Sequence, residues 1–209
     1  MYQRSIKHSR VKNLYKFASI KNRATLTLES TLEFNACFHF EFSKSIEFFE
    51  AQPVGFHYQY YGKSFPYTPD FLVSSTLGRQ IYYEIKYSNE ASVPEVMHRF
   101  KRKQRSCSEL GMELRLLTER QLHKEPRLNN LKLLHRYSGD SKCNTQIEWL
   151  LSLIREFGVV TVRDLLEQSK LTCGRLNKLV LIGASQGLIQ FDLDAIPFGL
   201  GTELFIAYE

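Results

Sequence analysis

Along the first two-thirds of the chain, apolar residues recur at every second position in short runs, the period of strands with one face against a core. Ile46–Ala51 and residues 56–61 read this way, with Phe48, Phe49, Phe56, Tyr58 and Tyr60 as sheet aromatics and a break at Gln52-Pro53 and Gly55. Tyr61-Gly62-Lys63 is a turn. It leads to two further strands, residues 67–73 and 81–87, joined by a polar turn containing Gly78. The period becomes helical in two places. Ser30-Thr31-Leu32-Glu33 has the form of a capping box, followed by Leu32, Ala36 and Phe40 on one face with Phe34 and Phe38 adjoining, which predicts a largely buried helix. Val93, Val96, Met97, Phe100, Gln104, Cys107 and Leu110 line one face of a second helix that stops at Gly111. Glu113–Leu117 then reads as a strand parallel to 81–87, reached through that helical crossover.

The last third has another pattern. Ser138-Gly139-Asp140-Ser141 is a plausible junction, and three helical segments follow at 145–157, 161–169 (capped by Thr161 and Asp164) and 172–186. Strands at 188–193 and 203–207 flank the Pro197–Gly201 loop, and three helices with a hairpin read as winged-helix-like. The expected parts are a basic N-terminal arm at 1–28, a mixed α/β domain at 29–137 and the small domain at 138–209.

Composition adds limits. The chain has 209 residues with 43% hydrophobic and 24% charged, an ordinary globular balance. No run approaches the ~18 apolar residues of a membrane helix, and the basic N-terminus lacks a signal-peptide core, so a cytoplasmic location is expected. Cys37, Cys107, Cys143 and Cys173 stand singly, which favours reduced buried thiols over a zinc site or a disulfide framework. Charge is uneven: residues 1–139 carry a formal +9 and residues 140–209 a formal −3. The basic part suits a polyanion.

Arg4, Lys7, Arg10, Lys12, Lys16, Lys21 and Arg23 fall in a segment without an acid, interleaved with Tyr2, Tyr15 and Phe17. This is either a solvated tail or an arm along DNA phosphates, with Tyr15 and Phe17 packing part of it on the domain. Arg99, Lys101, Arg102, Lys103 and Arg105 crowd the helix after the strand at 81–87, and their position there favours phosphate contact over a merely solvated face. Arg175, Asn177 and Lys178 offer a similar contact in the tail, but Asp192, Asp194 and the net acidity favour protein docking there. Trp149 is expected in the core, and His57 is expected to be structural.

The candidate chemistry lies between Asp70 and Lys86. Strand alternation puts Glu84 and Lys86 on one side, and Asp70, preceded by Pro69, comes across from them. Two close carboxylates repel unless a cation lies between them. Mg²⁺ fits, because it takes hard oxygen ligands and bridges to phosphate, and a neighbouring lysine can orient water or stabilise developing charge. The set suits phosphodiester hydrolysis; a surface Lys–Glu pair on a half-exposed sheet is the plain alternative. Glu33 either closes the capping box or points at this patch as a third acid.

The order of these elements resembles the PD-(D/E)xK nuclease core, a restriction-endonuclease-like mixed sheet flanked by helices. More closely, the segments ESTLEF, IEFFEAQPVGFHYQYYGKSFPYTPDFLV and YYEIK resemble the TnsA family, endonuclease subunits of Tn7-like heteromeric transposases, over about residues 28–120. The resemblance implies a catalytic set of Glu33, Asp70, Glu84 and Lys86. Asp70, Glu84 and the Ile85 carbonyl would hold Mg²⁺, with Mn²⁺ able to substitute. Some members carry Gln where this chain retains Glu84. The implied activity is nicking of the 5′ strands at transposon ends, with a TnsB-like transposase cutting the 3′ strands and a TnsC-like AAA+ ATPase connecting both to the target. A bacterial, nucleoid-associated setting goes with it. Two other readings stay open at this point: a stand-alone nuclease of defence or repair, and a non-catalytic DNA-binding adaptor.

Overall fold

The computed structural model describes residues 14–139 and 144–206. The most basic part of the expected arm, residues 1–13, and Cys143 lie outside the described residues. The chain divides into two compact units, the first ending at His123 and the second beginning at Lys124.

The first unit opens with a hairpin of β1 (Tyr15–Ser19) and β2 (Ala24–Leu28), followed by α1 (Thr31–Phe42). The expectation of an arm through residue 28 is therefore corrected: residues 15–28 fold onto the domain. The cause is α1. Glu41 accepts hydrogen bonds from Ser19 Oγ (2.6 Å) and from the backbone N–H groups of Ile20 and Lys21 (both 2.9 Å). Lys21 donates to the carbonyls of Phe40, Ser43 and Ile46 at 2.6–2.9 Å. An ammonium at a helix C-terminus satisfies carbonyls that have no partner within the helix. Lys21 is thus a structural cap.

The central sheet has the order β3 (Ile46–Ala51), β6 (Phe71–Ser75), β7 (Gln80–Ile85), β8 (Glu113–Leu117). The first three are antiparallel, and β8 is parallel to β7 through α2 (Ser88–Ala91) and α3 (Pro94–Glu109), as the crossover predicted. The short α4 (Glu119–Leu122) closes the unit. Phe17, Phe34, Phe38, Phe40, Phe49 and Phe71 interlock on the α1 side with centroids 5.1–6.4 Å apart. The α3 side packs Phe100, Cys107 and Leu114 with aromatics of a separate hairpin, β4 (Phe56–Tyr60) and β5 (Lys63–Tyr67).

The expected strand 67–73 is two elements. Tyr67 ends β5, Phe71 begins β6, and the chain crosses from hairpin to sheet through Thr68-Pro69-Asp70. Pro69 has no N–H to give a ladder, which favours the break there. Tyr61 and Gly62, with φ of 46° and 70°, make the hairpin turn. Gly55 is required by close approach, since a Cβ there would run into the Tyr67 carbonyl.

The second unit contains α5 (Arg127–Tyr137), α6 (Asn144–Phe157), β9 (Val160–Thr161), α7 (Val162–Gln168), α8 (Cys173–Ser185), β10 (Ile189–Gln190) and β11 (Glu203–Ile206). Its strands form an antiparallel sheet in the order β10-β11-β9. Thr161 and Asp164 make the expected capping box. Asn130 Nδ2 donates to the carbonyls of Leu193 and Ile196, Asn130 Oδ1 accepts from Phe198 N–H, and Arg127 pairs with Asp194 at 2.6 Å. These bonds build α5 into the second unit, so the division falls earlier than the Ser138–Ser141 junction. Trp149, expected in the core, is 40% exposed. Cys37 and Cys107 are buried free thiols, whereas Cys173 is exposed. Among the described residues no helix is long and apolar enough to cross a membrane.

Candidate active site

Along β7, Tyr83 packs on Phe40 of α1 and Tyr82 meets Phe56 of the hairpin. Glu84, two residues beyond Tyr82, therefore faces α3. Asp70 is fixed at the crossing: its N–H donates to the Tyr83 carbonyl (2.9 Å) and its carbonyl accepts from Gln52 N–H (2.8 Å). Its Oδ2 accepts from Ile85 N–H at 2.6 Å, which ties its carboxylate to the end of β7.

Glu84 is 3% exposed and held by two lysines. Lys86 Nζ lies 3.1 Å from Oε1, and Lys103 Nζ lies 3.0 and 2.8 Å from Oε1 and Oε2. Lys103 also sits 4.0 Å from the centroid of the Tyr67 ring. The Tyr67 hydroxyl is buried and interacts with Glu84 electrostatically, but has no hydrogen bond of ordinary geometry. Glu33 is buried and accepts from Ser30 Oγ (2.7 Å) and Glu29 N–H (3.1 Å). It closes the helix start one residue earlier than a capping box does, and its charge also reaches Asp70. The capping contacts hold Glu33 at the start of α1.

The electrostatics separate the carboxyls. Burial first, then the charges of Glu33 and Glu84, push Asp70 up to about 7 against the Ile85 N–H and Lys86. Burial also acts upward on Glu84, but Lys103, Tyr67 and Lys86 outweigh it and hold Glu84 below the usual carboxylate range. Burial pulls Lys86 down, yet Glu84 and Asp70 leave it above its ordinary value. For Lys103 burial wins and the ammonium is lowered, despite Glu84. A carboxyl raised by burial and by neighbouring carboxylates is a condition that a divalent cation relieves.

The donor set fits such an ion. Besides Asp70 and Glu84, the buried Tyr67 Oη beside Glu84 lacks a hydrogen bond of ordinary geometry. Among the described residues there is no group of three or more His, Cys, Asp or Glu with metal-binding geometry, so carbonyls and waters would complete the shell.

The predicted residues divide into those gathered here and those that are not. Asp70, Glu84, Ile85 and Lys86 converge, and the charge of Glu33 acts on Asp70. Lys101 and Arg102 are exposed, Arg99 lies 5.0 Å over the Tyr60 ring, and Arg105 pairs with Glu109 at 3.2 Å. Lys103, assigned to the basic surface, instead turns into the site with a side chain only 13% exposed. The spacing Phe100–Lys103–Cys107 placed it on the buried stripe of α3, a signal masked by its charged neighbours. The sequence pattern of Tyr67 likewise marks only a strand residue.

Residues 43–119 match the family model of the TnsA-like endonuclease N-terminal domain. The match includes Asp70, Glu84, Lys86 and Lys103 and begins after α1, so Glu33 lies outside it. No curated protein matches the chain.

Proposed function

We propose that this protein, whose residues 43–119 match the family model of the TnsA-like endonuclease N-terminal domain, is a Mg²⁺-dependent DNA endonuclease that nicks the 5′ strands at transposon ends, in cut-and-paste transposition with a TnsB-like transposase and a TnsC-like AAA+ ATPase. The observation that carries the reading is the meeting of Asp70, from the crossing between β5 and β6, with Glu84 of β7 beside Lys86, Asp70 being pushed up by burial and then by its acidic neighbours. Asp70, Glu84 and the Ile85 carbonyl hold the metal. When bound, Mg²⁺ supplies Lewis acidity toward phosphate and a more acidic water. Lys86 stays protonated at neutral pH because its affinity for the proton is raised. It therefore acts as a fixed cation and hydrogen-bond donor toward the developing negative charge, not as a base. Glu33 adds negative charge that favours a cation over a proton at Asp70.

The exposed Lys101 and Arg102 on α3 suit DNA phosphates flanking the cut. The second unit, with its helices and three-stranded sheet, reads as a winged helix, and the formal −3 of its residues 140–209 suits docking of that part to a protein partner.

End-labelled strand mapping with Mg²⁺, both partners and a marked transposon end tests the proposal. Wild type should nick the 5′ strand, Asp70→Ala should not, and Lys86→Ala should bind DNA and partners without cutting. Unchanged nicking by Asp70→Ala would falsify the catalytic claim. Cutting of naked duplex by the chain alone would favour the stand-alone nuclease.

A further inference from the structure

Lys103 engages both oxygens of Glu84, at 3.0 and 2.8 Å, with the Tyr67 ring 4.0 Å from the same ammonium. Lys86 touches only Oε1, at 3.1 Å. Lys103 and Lys86 together take three of the roughly four lone-pair sites of this carboxylate, so a divalent ion that uses both oxygens must displace an ammonium. The ion and Lys103 compete for one anion. A displaced ammonium cannot remain in this part-buried position unpaired, because an uncompensated charge there is costly. It needs another anion, and its place on α3, beside the exposed Lys101 and Arg102, puts it on the element that offers cations to the surface.

We propose that Lys103 is a positioning residue that holds Glu84 in the metal-free protein and transfers to a DNA phosphate as the cation enters, so that metal loading and DNA binding are coupled. The inference rests on the reading of the site as a metal-dependent nuclease centre. Each event removes an obstacle to the other: the phosphate stabilises the displaced ammonium, and the cation takes over the freed carboxylate. Thermodynamic reciprocity then requires the metal to strengthen DNA binding by the factor with which DNA strengthens metal binding.

Calorimetric titration with Mn²⁺ alone, in the absence of DNA, tests the first half. Lys103→Met and Lys103→Gln, two neutral replacements in case one folds poorly, should bind Mn²⁺ about tenfold more tightly than wild type because the competing cation is gone. Lys101→Met, which removes an exposed charge from the same helix, should remain within about twofold. Lys103→Arg, which keeps a competing cation, should stay near wild type. Repeating the titrations with a short nicked duplex, which permits binding without turnover, should raise the affinity of wild type and narrow its gap to the neutral variants. Neutral variants that bind Mn²⁺ no better than wild type overturn the proposal, as does a gap that DNA leaves unchanged. If neither wild type nor any variant takes up Mn²⁺, the metal-site reading itself fails and the inference falls with it.

Discussion

Asp70→Asn should stabilise the metal-free protein while abolishing cutting. Asp70 is pushed from 3.8 to about 7, so folding favours its protonated form. Between those values the native state binds a proton that the unfolded chain releases, and stability falls as pH rises through the window. A shift of about three units corresponds to about 4 kcal/mol of destabilisation once both states are ionised. The amide has no charge to bury, and its oxygen can still accept from Ile85 N–H. It forms a weaker bond than the carboxylate, so the net gain should be about 2–3 kcal/mol at pH 8. Urea denaturation of both proteins in chelator-treated buffer, repeated at pH 8, 7, 6 and 5, reads this directly. The advantage of the variant should be largest at pH 8 and fall by about 2.6 kcal/mol, to near zero, by pH 5. A variant no more stable than wild type at pH 8, or an advantage that grows toward acid, refutes the argument that crowded, buried carboxyls strain this site.

Other expectations concern the scaffold and the DNA face. Gly55→Ala should lower stability by about 3 kcal/mol in a urea melt, since the new methyl meets the rigid Tyr67 carbonyl; a loss under 1 kcal/mol (by the same measure) would mean that the hairpin can move aside. Lys21→Met removes three hydrogen bonds to α1 and its exit and should cost about 2 kcal/mol, with DNA affinity unchanged; a fall in DNA affinity without loss of stability would restore Lys21 to a binding arm. Lys101→Ala with Arg102→Ala should weaken DNA binding across sequences and reduce the slope of log affinity against log salt by about 2, measured by fluorescence anisotropy. An unchanged slope would place the phosphates elsewhere.

Much of the first unit was legible because its elements are strongly periodic and separated by turn residues. Ile46–Ala51 and Glu113–Leu117 come out as read, and α3 starts and stops within a residue or so of its apolar stripe. The region of Asp70 reads as one strand because the alternation of Tyr67, Pro69, Phe71 and Val73 continues through it, and only pairing shows that Tyr67 and Phe71 belong to different sheets. Lys103 and Lys21 share another cause of error. Both stand in basic runs, and composition alone cannot tell a lysine facing water from one turned onto a carboxylate or a helix end. Helix α5 lies in a segment that the sequence reading attached to the preceding domain, although the bonds of Asn130 tie it to the loop at 193–198.

The account depends on a divalent ion held between side chains from separate segments. Anomalous scattering from crystals soaked with Mn²⁺ measures this most directly. We expect a peak in contact with the Asp70 and Glu84 carboxylates, with Lys103 Nζ drawn away from Glu84. Absence of density there, with Lys103 still bonded to both oxygens, would contradict the account at its centre.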